Sequence, residues 1–168
     1  IGIELIKCLK KLGLKRLRIK WPNDLYFAER KLGGLLVELH QTSSCPLVVN
    51  VGLGINYRLP GIQNWGANQE FNPIDIAEIQ GSTCLSRNLL SAHFINSITN
   101  SLLSFNRDSL STTQSDWHDL DMLFDKKLTI KVGSQIIKGM NKGIDSEGRL
   151  ILETNGMTKA IASGHIIG

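Results

Sequence analysis

The sequence has little of what marks secreted or membrane-spanning proteins. Its three cysteines, Cys8, Cys45 and Cys84, are odd in number and far apart, so they support neither a disulfide framework nor a C-x-x-C metal knuckle. No apolar run approaches the roughly 20 residues of a transmembrane helix, and no stretch resembles a cleavable leader peptide. These absences favour a soluble, cytoplasmic protein with free thiols.

The composition is that of a globular protein. Of the 168 residues, 42% are hydrophobic and 20% are charged, so one or two small domains are expected. The first residue, Ile1, falls directly in a helical pattern without a capping residue before it, and we therefore expect a fragment of a longer protein. The net charge of +4 lies largely between Lys7 and Lys20, which is more typical of a solvated face than of a nucleic-acid surface.

The first third of the chain alternates between helical and strand patterns. Apolar residues at helical spacing predict a helix over 3–12 that ends at Gly13. Alternating residues then predict a strand that stops at Pro22, a hairpin whose second strand spans 31–39, and a strand over 47–55 that is covered on both faces. We therefore expect four strands within about forty residues.

The rest of the chain combines helices with a small β region. Residues 60–73 are rich in Gly, Asn and Pro and predict a long loop. Ser82 and Ser86 are candidate caps of a helix with one buried apolar stripe, and a second helix is predicted over 115–124. The stripe consists of Leu89, Leu90, Phe94, Ile95, Ile98, Leu102 and Phe105. Short strands that form a compact barrel are predicted over 128–132, 136–144, 149–153 and 158–167.

One strand-turn-strand segment, Lys20–Gly34, carries an unusual set of polar residues that ends in a pair of glycines. A glycine pair weakens a strand and makes sense where a ligand approaches the backbone closely. The segment Gly52–Asn56 repeats the pattern of open backbone followed by an amide. Each residue alone is compatible with an ordinary turn or bulge, but the combined spacing predicts a binding site. The polar residues are Lys20, Asn23, Asp24, Arg30 and Lys31.

Three segments, Lys20–Tyr26, Arg30–Glu38 and Val51–Asn56, resemble the biotin protein ligase family in order and spacing. Similarity returns between Gly143 and Leu150 and at Gly164–Ile166, where the chain looks like the family's C-terminal SH3-like domain. The resemblance therefore covers nearly the whole chain.

The resemblance implies an α+β fold in two domains. Residues 1–124 would form a mixed sheet with packed helices, an incomplete class II synthetase-like biotin ligase domain, and residues 125–168 a small SH3-like β-barrel. It also implies a two-step reaction in which biotin and ATP give biotinyl-5'-AMP, and a lysine of a biotin carboxyl carrier protein, the acceptor domain of a biotin-dependent carboxylase, then takes the biotin. Mg²⁺ is expected with ATP, although no carboxylate cluster marks a metal site.

The resemblance assigns catalytic roles to two residues. Lys31 would contact the biotin carboxylate and the α-phosphate, which is the role of a preorganised cation. Asp24 would lie where the acceptor lysine enters and would help to remove its proton. No metal ligand is assigned. The substrate-binding residues are Lys31, Asn23, Gly33, Gly34, Gly54 and Asn56.

The family's Gly/Arg-rich loop and ring-binding residues lie upstream of the matched region. We therefore expect this chain to be inactive alone and its parent to be a ligase. A lipoate protein ligase with an equivalent lysine is one alternative, and a non-catalytic protein that binds biotinyl-adenylate or a carrier domain is another. DNA binding would require a further N-terminal domain, and a homodimer through a sheet edge is possible in the family.

Overall fold

Two sheets with helices packed beside them make up the described part of the chain. The computed structural model describes residues 1–42, 45–61, 72–105 and 110–167. None of the helices in these ranges has the length and apolar character needed to cross a lipid bilayer. In chain order the elements are α1 (Gly2–Lys11), β1 (Leu17–Lys20), β2 (Asp24–Phe27), β3 (Arg30–Thr42), β4 (Cys45–Ile55), α2 (Ile76–Gln80), α3 (Arg87–Leu103), α4 (Leu110–Leu120), β5 (Lys127–Val132), β6 (Gln135–Ile144), β7 (Leu150–Thr154), β8 (Met157–Ile161) and β9 (His165–Ile166).

The first sheet has the strand order β1-β2-β3-β4, and its ladders are antiparallel. Parallel pairing within the described residues is limited to two isolated bridges, between Ile19 and Asp121 and between Lys31 and Pro73. The four predicted strands are confirmed. Strand β4 differs from the expectation of a strand covered on both faces, because none of its residues from Leu47 to Ile55 is buried and Leu47 is 55% exposed.

Helix α1 supplies much of the core beside this sheet. Leu5, Ile6 and Leu9 are completely buried, and the helix packs on β1, α3 and α4. Burial of each such side chain stabilises the fold by about 1.5–3 kcal/mol. The predicted end of the helix is confirmed at Gly13, whose φ of 97° suits a glycine and turns the chain towards β1.

The predictions for helix α3 are confirmed at its cap and wrong for its buried face. The cap prediction is confirmed for Ser86, whose side chain accepts a hydrogen bond from Leu89 N. The single buried stripe is wrong, because Leu90 and Phe94 are buried whereas Ile95 and Phe105 are each 66% exposed. Apolar residues surround α3 on more than one side, so spacing alone did not indicate which side packs on α1.

Two further helix predictions are also corrected. Helix α4 begins at Leu110 and ends at Leu120, earlier at both ends than the predicted 115–124. Helix α2 was not predicted, although Asp75 and Glu78 provide a capping signal in which the Asp75 carboxylate accepts a hydrogen bond from Glu78 N at 2.7 Å. Most of the predicted loop over 60–73 lies outside the described residues.

The second sheet has the order β8-β7-β6-β5-β9 and its own buried apolar residues. The single strand predicted over 158–167 is wrong, because β8 and β9 are separate and β9 pairs with β5. The chain reverses before Gly164, where a Cβ atom would lie 2.7 Å from Ile130 Cγ2. Only a glycine therefore lets the chain return this close to β5. The buried residues of this sheet are Leu128, Ile130, Leu150, Leu152 and Ile161.

A buried carboxylate links the two sheets. Asp121 is 5% exposed, and its Oδ2 accepts a hydrogen bond of 2.8 Å from Asn141 Nδ2, whose residue is completely buried. Asn141 Oδ1 accepts a bond of 2.8 Å from Gly143 N. One residue after the carboxylate, Met122 N donates to Ile19 O at 3.0 Å. This polar network joins the end of α4, strand β6 and strand β1.

We predict that Asn141→Ala destabilises the chain by about 3 kcal/mol, because the buried Asp121 carboxylate loses the hydrogen bond that Asn141 donates to it. Asn100→Ala is the matched control, since Asn100 makes an exposed side-chain bond of 3.4 Å to Asn96, and it should change stability by less than about 0.5 kcal/mol. Urea denaturation followed by circular dichroism measures both. Equal midpoints for the two variants would contradict the role of the network.

Candidate active site

Four positions form a row across the first sheet. Lys20 pairs with Asp24, Asp24 with Gly34, and Gly34 with Gly54. Directly paired residues project from the same side of a sheet, so the row places a cation, an anion and two glycines on one face. The segments Lys20–Gly34 and Gly52–Asn56, which the sequence related only through their spacing, are therefore adjacent in the structure.

A bulge brings Lys31 to the same face. Leu25 pairs with Gly33 and Tyr26 pairs with Lys31, so Leu32 is an extra residue in β3. Leu32 is completely buried, and Lys31 Nζ donates to Asp24 Oδ2 at 2.7 Å. Regular alternation would have placed Lys31 on the opposite face, and a bulge is the usual device that redirects a side chain.

The pair remains open to solvent. The side chain of Lys31 is 39% exposed and that of Asp24 is 34% exposed. Tyr26 lies two residues after Asp24 in β2 and therefore faces the same side. Burial, and to a smaller extent the negative charge of Asp24, raises the pKa of Tyr26. The phenol was not among the predicted site residues, although the alternation from Asp24 would have identified it.

Hydrogen bonds hold the backbone of Lys31 from both directions. Its N donates to Asn72 O at 3.0 Å, and its O accepts from Ile74 N at 2.9 Å. Asn56 Nδ2 donates to Lys31 O at 3.2 Å and to Ile74 O at 3.1 Å. The structure thus uses the donor group of Asn56 to support the strand that carries Lys31, and contact with a ligand would fall to its Oδ1.

Arg30 holds the same region from the outside. Its guanidinium donates to Pro73 O at 2.7 Å and forms an ion pair with the Glu78 carboxylate in α2. It also donates to Asn72 Oδ1 at 3.2 Å. Arg30 therefore fastens α2 and the segment before it to β3, and its charge is paired with that of Glu78.

The three predicted glycines have different surroundings. A Cβ atom on Gly33 would lie 2.1 Å from Gly54 O, and one on Gly34 would lie 2.9 Å from Asp24 Oδ1. A Cβ atom on Gly54 would meet no atom closer than Gly34 O at 3.9 Å. Packing within the sheet therefore requires Gly33, the position of the carboxylate requires Gly34, and Gly54 leaves open space on the face that carries Lys31.

Trp21 connects the end of β1 to the second sheet, whereas the backbone of Asn23 is bonded to β3 of the first sheet. Asn23 O accepts a hydrogen bond of 3.0 Å from Leu35 N. Trp21 is 4% exposed, and its Nε1 donates to Gly148 O at 3.3 Å. The β6–β7 turn that contains Gly148 is thus in contact with the residues immediately before Asp24.

A separate cavity of about 490 Å³ lies behind the first sheet. Its lining includes Leu25, Leu35, Trp117 and the predicted site residue Asn23, but neither Lys31 nor Asp24. Leu25 and Leu35 alternate with Asp24 and Gly34, so the cavity faces the reverse side of the sheet. The described residues contain no group of three or more His, Cys, Asp or Glu side chains that could hold a metal ion.

Comparisons with known proteins find matches to both ends of the chain. The profile described as the Biotin/lipoate A/B protein ligase family matches residues 3–56, and that described as the Biotin protein ligase C terminal domain matches residues 125–167. The bifunctional ligase/repressor BirA of Salmonella typhimurium is 36% identical over 166 residues, which are 99% of this chain and 51% of that protein. The chain belongs to the biotin protein ligase family.

BirA of Escherichia coli is 35% identical over 99% of this chain and 50% of its own length. The chain thus spans about half the length of the curated relatives it matches. The apo biotin protein ligase from Aquifex aeolicus superposes with a TM-score of 0.79 at 23% identity, covering 99% of this chain and 71% of that one. Its complex with biotin and ATP gives 0.78 at 22% identity, with coverage of 99% and 67%. These structures confirm the α+β biotin ligase fold.

The glycine geometry predicts opposite outcomes for two alanine substitutions. Gly33→Ala should destabilise the chain by about 2–4 kcal/mol, because its Cβ would force β3 away from Gly54 O. Gly54→Ala should change stability by less than about 1 kcal/mol, because its Cβ enters open space. Urea denaturation of both variants measures the difference. Similar losses would mean that Gly54 is also needed for packing.

We predict that the contact between Trp21 and the β6–β7 turn depends on pH. Partial burial acts to raise the pKa of Asp145, but hydrogen bonds from the Arg149 side chain and from the N–H groups of Arg149 and Glu147 outweigh it and lower the pKa. The turn is therefore stabilised at pH values above the ordinary carboxyl pKa. This stabilisation is lost as the pH falls through the lowered pKa of Asp145 in the folded chain.

In an NMR titration, the Trp21 indole and Arg149 amide signals should move together, with a midpoint at a pH below 3.8, the ordinary pKa of an aspartate carboxyl. Asp145→Asn should remove this common step. If the indole signal of the variant still titrated as in the parent chain, the turn would not control the position of Trp21.

Proposed function

We propose that this chain carries the adenylate-binding face of an ATP-dependent biotin protein ligase. The observation that supports it best is the Lys31 ammonium, 2.7 Å from Asp24, on the same sheet face as the open Gly54 position. The matched relatives are named as ligases, among them the biotin--[acetyl-CoA-carboxylase] ligase of Mycobacterium tuberculosis, at 24% identity. The proposed product of the first step is biotinyl-5'-AMP.

In the first step a biotin carboxylate oxygen attacks the α-phosphorus of ATP, and the bond to pyrophosphate breaks. The carboxylate, the α-phosphate and the leaving pyrophosphate all carry negative charge, and a fixed ammonium group lowers the energy of their approach. Lys31 is held for this role by the hydrogen bonds to its backbone. Mg²⁺ would enter with the phosphates of ATP, which is compatible with the lack of a carboxylate cluster among the described residues.

In the second step the amine of an acceptor lysine attacks the biotinyl carbonyl, and AMP leaves. The attacking nitrogen must lose a proton, and the Asp24 carboxylate is the base that we assign to it. Before substrate binds, Asp24 is paired with Lys31. An anionic adenylate would draw Lys31 towards its phosphate, and Asp24 would then be available to the incoming amine.

The acceptor that we propose is a biotin carboxyl carrier protein. A second candidate is lipoate transfer, because the family that matches residues 3–56 is described as containing biotin and lipoate ligases. The two candidates share the adenylate chemistry and differ in the ring that the enzyme binds. Substrate preference therefore distinguishes them.

The test uses a chimera in which this chain replaces the matching segment of the Salmonella BirA relative. Lys31→Met should lower biotin-dependent exchange of pyrophosphate into ATP by about 10²–10³-fold, because the reacting anions lose their cation. Lys142→Met is the matched control, since Lys142 is 38% exposed and pairs with Asp125 at 2.7 Å. This control should leave the exchange rate unchanged.

Asp24→Asn in the same chimera should slow biotin transfer to the carrier protein more than it slows pyrophosphate exchange. Full exchange activity in Lys31→Met would refute the role of the lysine. Exchange that depends on lipoate and not on biotin would favour the second candidate. Binding of biotinyl-5'-AMP without exchange would indicate a non-catalytic protein.

A further inference from the structure

A second row of paired positions crosses the sheet face that carries Lys31. Arg18 in β1 pairs with Tyr26 in β2, and Tyr26 pairs with Lys31. On the opposite edge of β3, Lys31 forms an isolated bridge with Pro73, which is buried. The Cβ atoms of directly opposed residues lie about 4.5–5.5 Å apart, so the ring of Tyr26 is within reach of the methylene groups of Lys31.

The side chain of Tyr26 offers this site a shape and not a hydrogen bond. It is half-buried, and its hydroxyl makes no hydrogen bond to another described residue. Burial raises the pKa of Tyr26, so the phenol stays neutral beside the ammonium group. An aromatic ring is a stiff neighbour, and lysine stems pack readily along apolar surfaces of this kind. The ring is therefore the part of Tyr26 that can act on Lys31.

The far side of Tyr26 is occupied by a second cation. Arg18 is exposed and turned towards α4, where its Nη1 donates to Asp119 O at 2.7 Å. A small residue in place of Tyr26 would leave an open strip between Arg18 and Lys31. The lysine could then fold across β2 and leave the Asp24 carboxylate.

In the other direction Lys31 has room to move. Its Nζ donates to Asp24 Oδ2 at 2.7 Å, so the side chain already leans along the strands towards Asp24. Gly34, which pairs with Asp24, carries no side chain, and a Cβ atom on Gly54 beside it would meet no atom closer than 3.9 Å. The ammonium group can therefore move from Asp24 to the space above Gly34 while the backbone of Lys31 stays fixed.

We propose that Tyr26 is a positioning residue of the ligase reaction, whose ring confines Lys31 to the arc between the Asp24 carboxylate and the space above Gly34. The bridge to Pro73 closes the opposite edge of β3. The chemical benefit rests on the proposed function, because a cation that stays on this arc is near the reacting anions when their charge develops. The confinement itself is a property of the chain without substrate.

The kinetic test uses the chimera described above. Tyr26→Ser should lower kcat for biotin-dependent pyrophosphate exchange by about tenfold and change the KM values of ATP and biotin by less than about threefold, because a misplaced cation fails mainly in the transition state. Tyr26→Phe keeps the ring and should retain kcat within about twofold. The matched control is Ile136→Ser, which removes an exposed side chain directly opposite Lys131 in the second sheet and should leave exchange unchanged.

Side-chain NMR of the 168-residue chain tests the confinement without substrate. Nuclear Overhauser contacts should join the Tyr26 ring to the methylene protons of Lys31, and the three-bond couplings between Nζ and Cγ should report one dominant rotamer. Tyr26→Phe should preserve this rotamer, whereas Tyr26→Ser should show an average over several. The couplings of Lys142, which lies in the second sheet, should be the same in all three chains.

Circular dichroism verifies that each variant is folded, and Tyr26→Val replaces Tyr26→Ser if the serine variant is not. Unchanged exchange and an unchanged Lys31 rotamer in Tyr26→Ser would overturn the proposal. An equal loss of kcat in Tyr26→Phe and Tyr26→Ser would also overturn it, because the hydroxyl and not the ring would then be required. If the unmodified chimera is inactive, the proposed function fails, and the rotamer populations alone decide whether Tyr26 confines Lys31.

Discussion

Backbone hydrogen bonds on both sides of Lys31 are the constraint on which the candidate site depends. Asn72, Ile74 and Asn56 fix the peptide groups of this residue, and the bulge at Leu32 then determines which face its side chain reaches. A lysine has a long and flexible side chain, so its position is useful for catalysis only if its own backbone does not move. The segment before α2 thus pairs with the start of β3, where β4 no longer pairs with it, although the segment forms no strand.

The ion pair between Lys31 and Asp24 is weak, which suits the roles that we propose for these two residues. An ion pair that solvent reaches contributes only about 0–1 kcal/mol to stability, so an anionic ligand can replace the carboxylate at little cost. A buried pair of the same geometry would resist separation, since each charge would need a new partner in a dry site. The partial exposure of both side chains is therefore compatible with exchange of partners during a reaction.

Much of the architecture could be predicted from the sequence. Periodicity located α1 and the four strands of the first sheet, and spacing identified Asp24, Lys31 and Gly54 as members of one segment pattern. It could not predict that Leu32 is a bulged residue, because a buried leucine in a bulge looks like any other strand leucine. The exposure of Ile95 also depends on neighbours distant in sequence, whereas the capping of α2 by Asp75 is a local signal that the sequence does contain. The catalytic roles of the site residues stay predictions.

The buried link between Asp121 and Asn141 has a consequence for how genes of this type can be recombined. Every exchange point between residues 121 and 141 joins one member of the link to a foreign partner. An unmatched partner would leave a carboxylate or an amide without its hydrogen bond in the interior. Successful hybrids with related proteins should therefore inherit both residues from the same parent, even when the crossover falls at what looks like a natural joint between two modules.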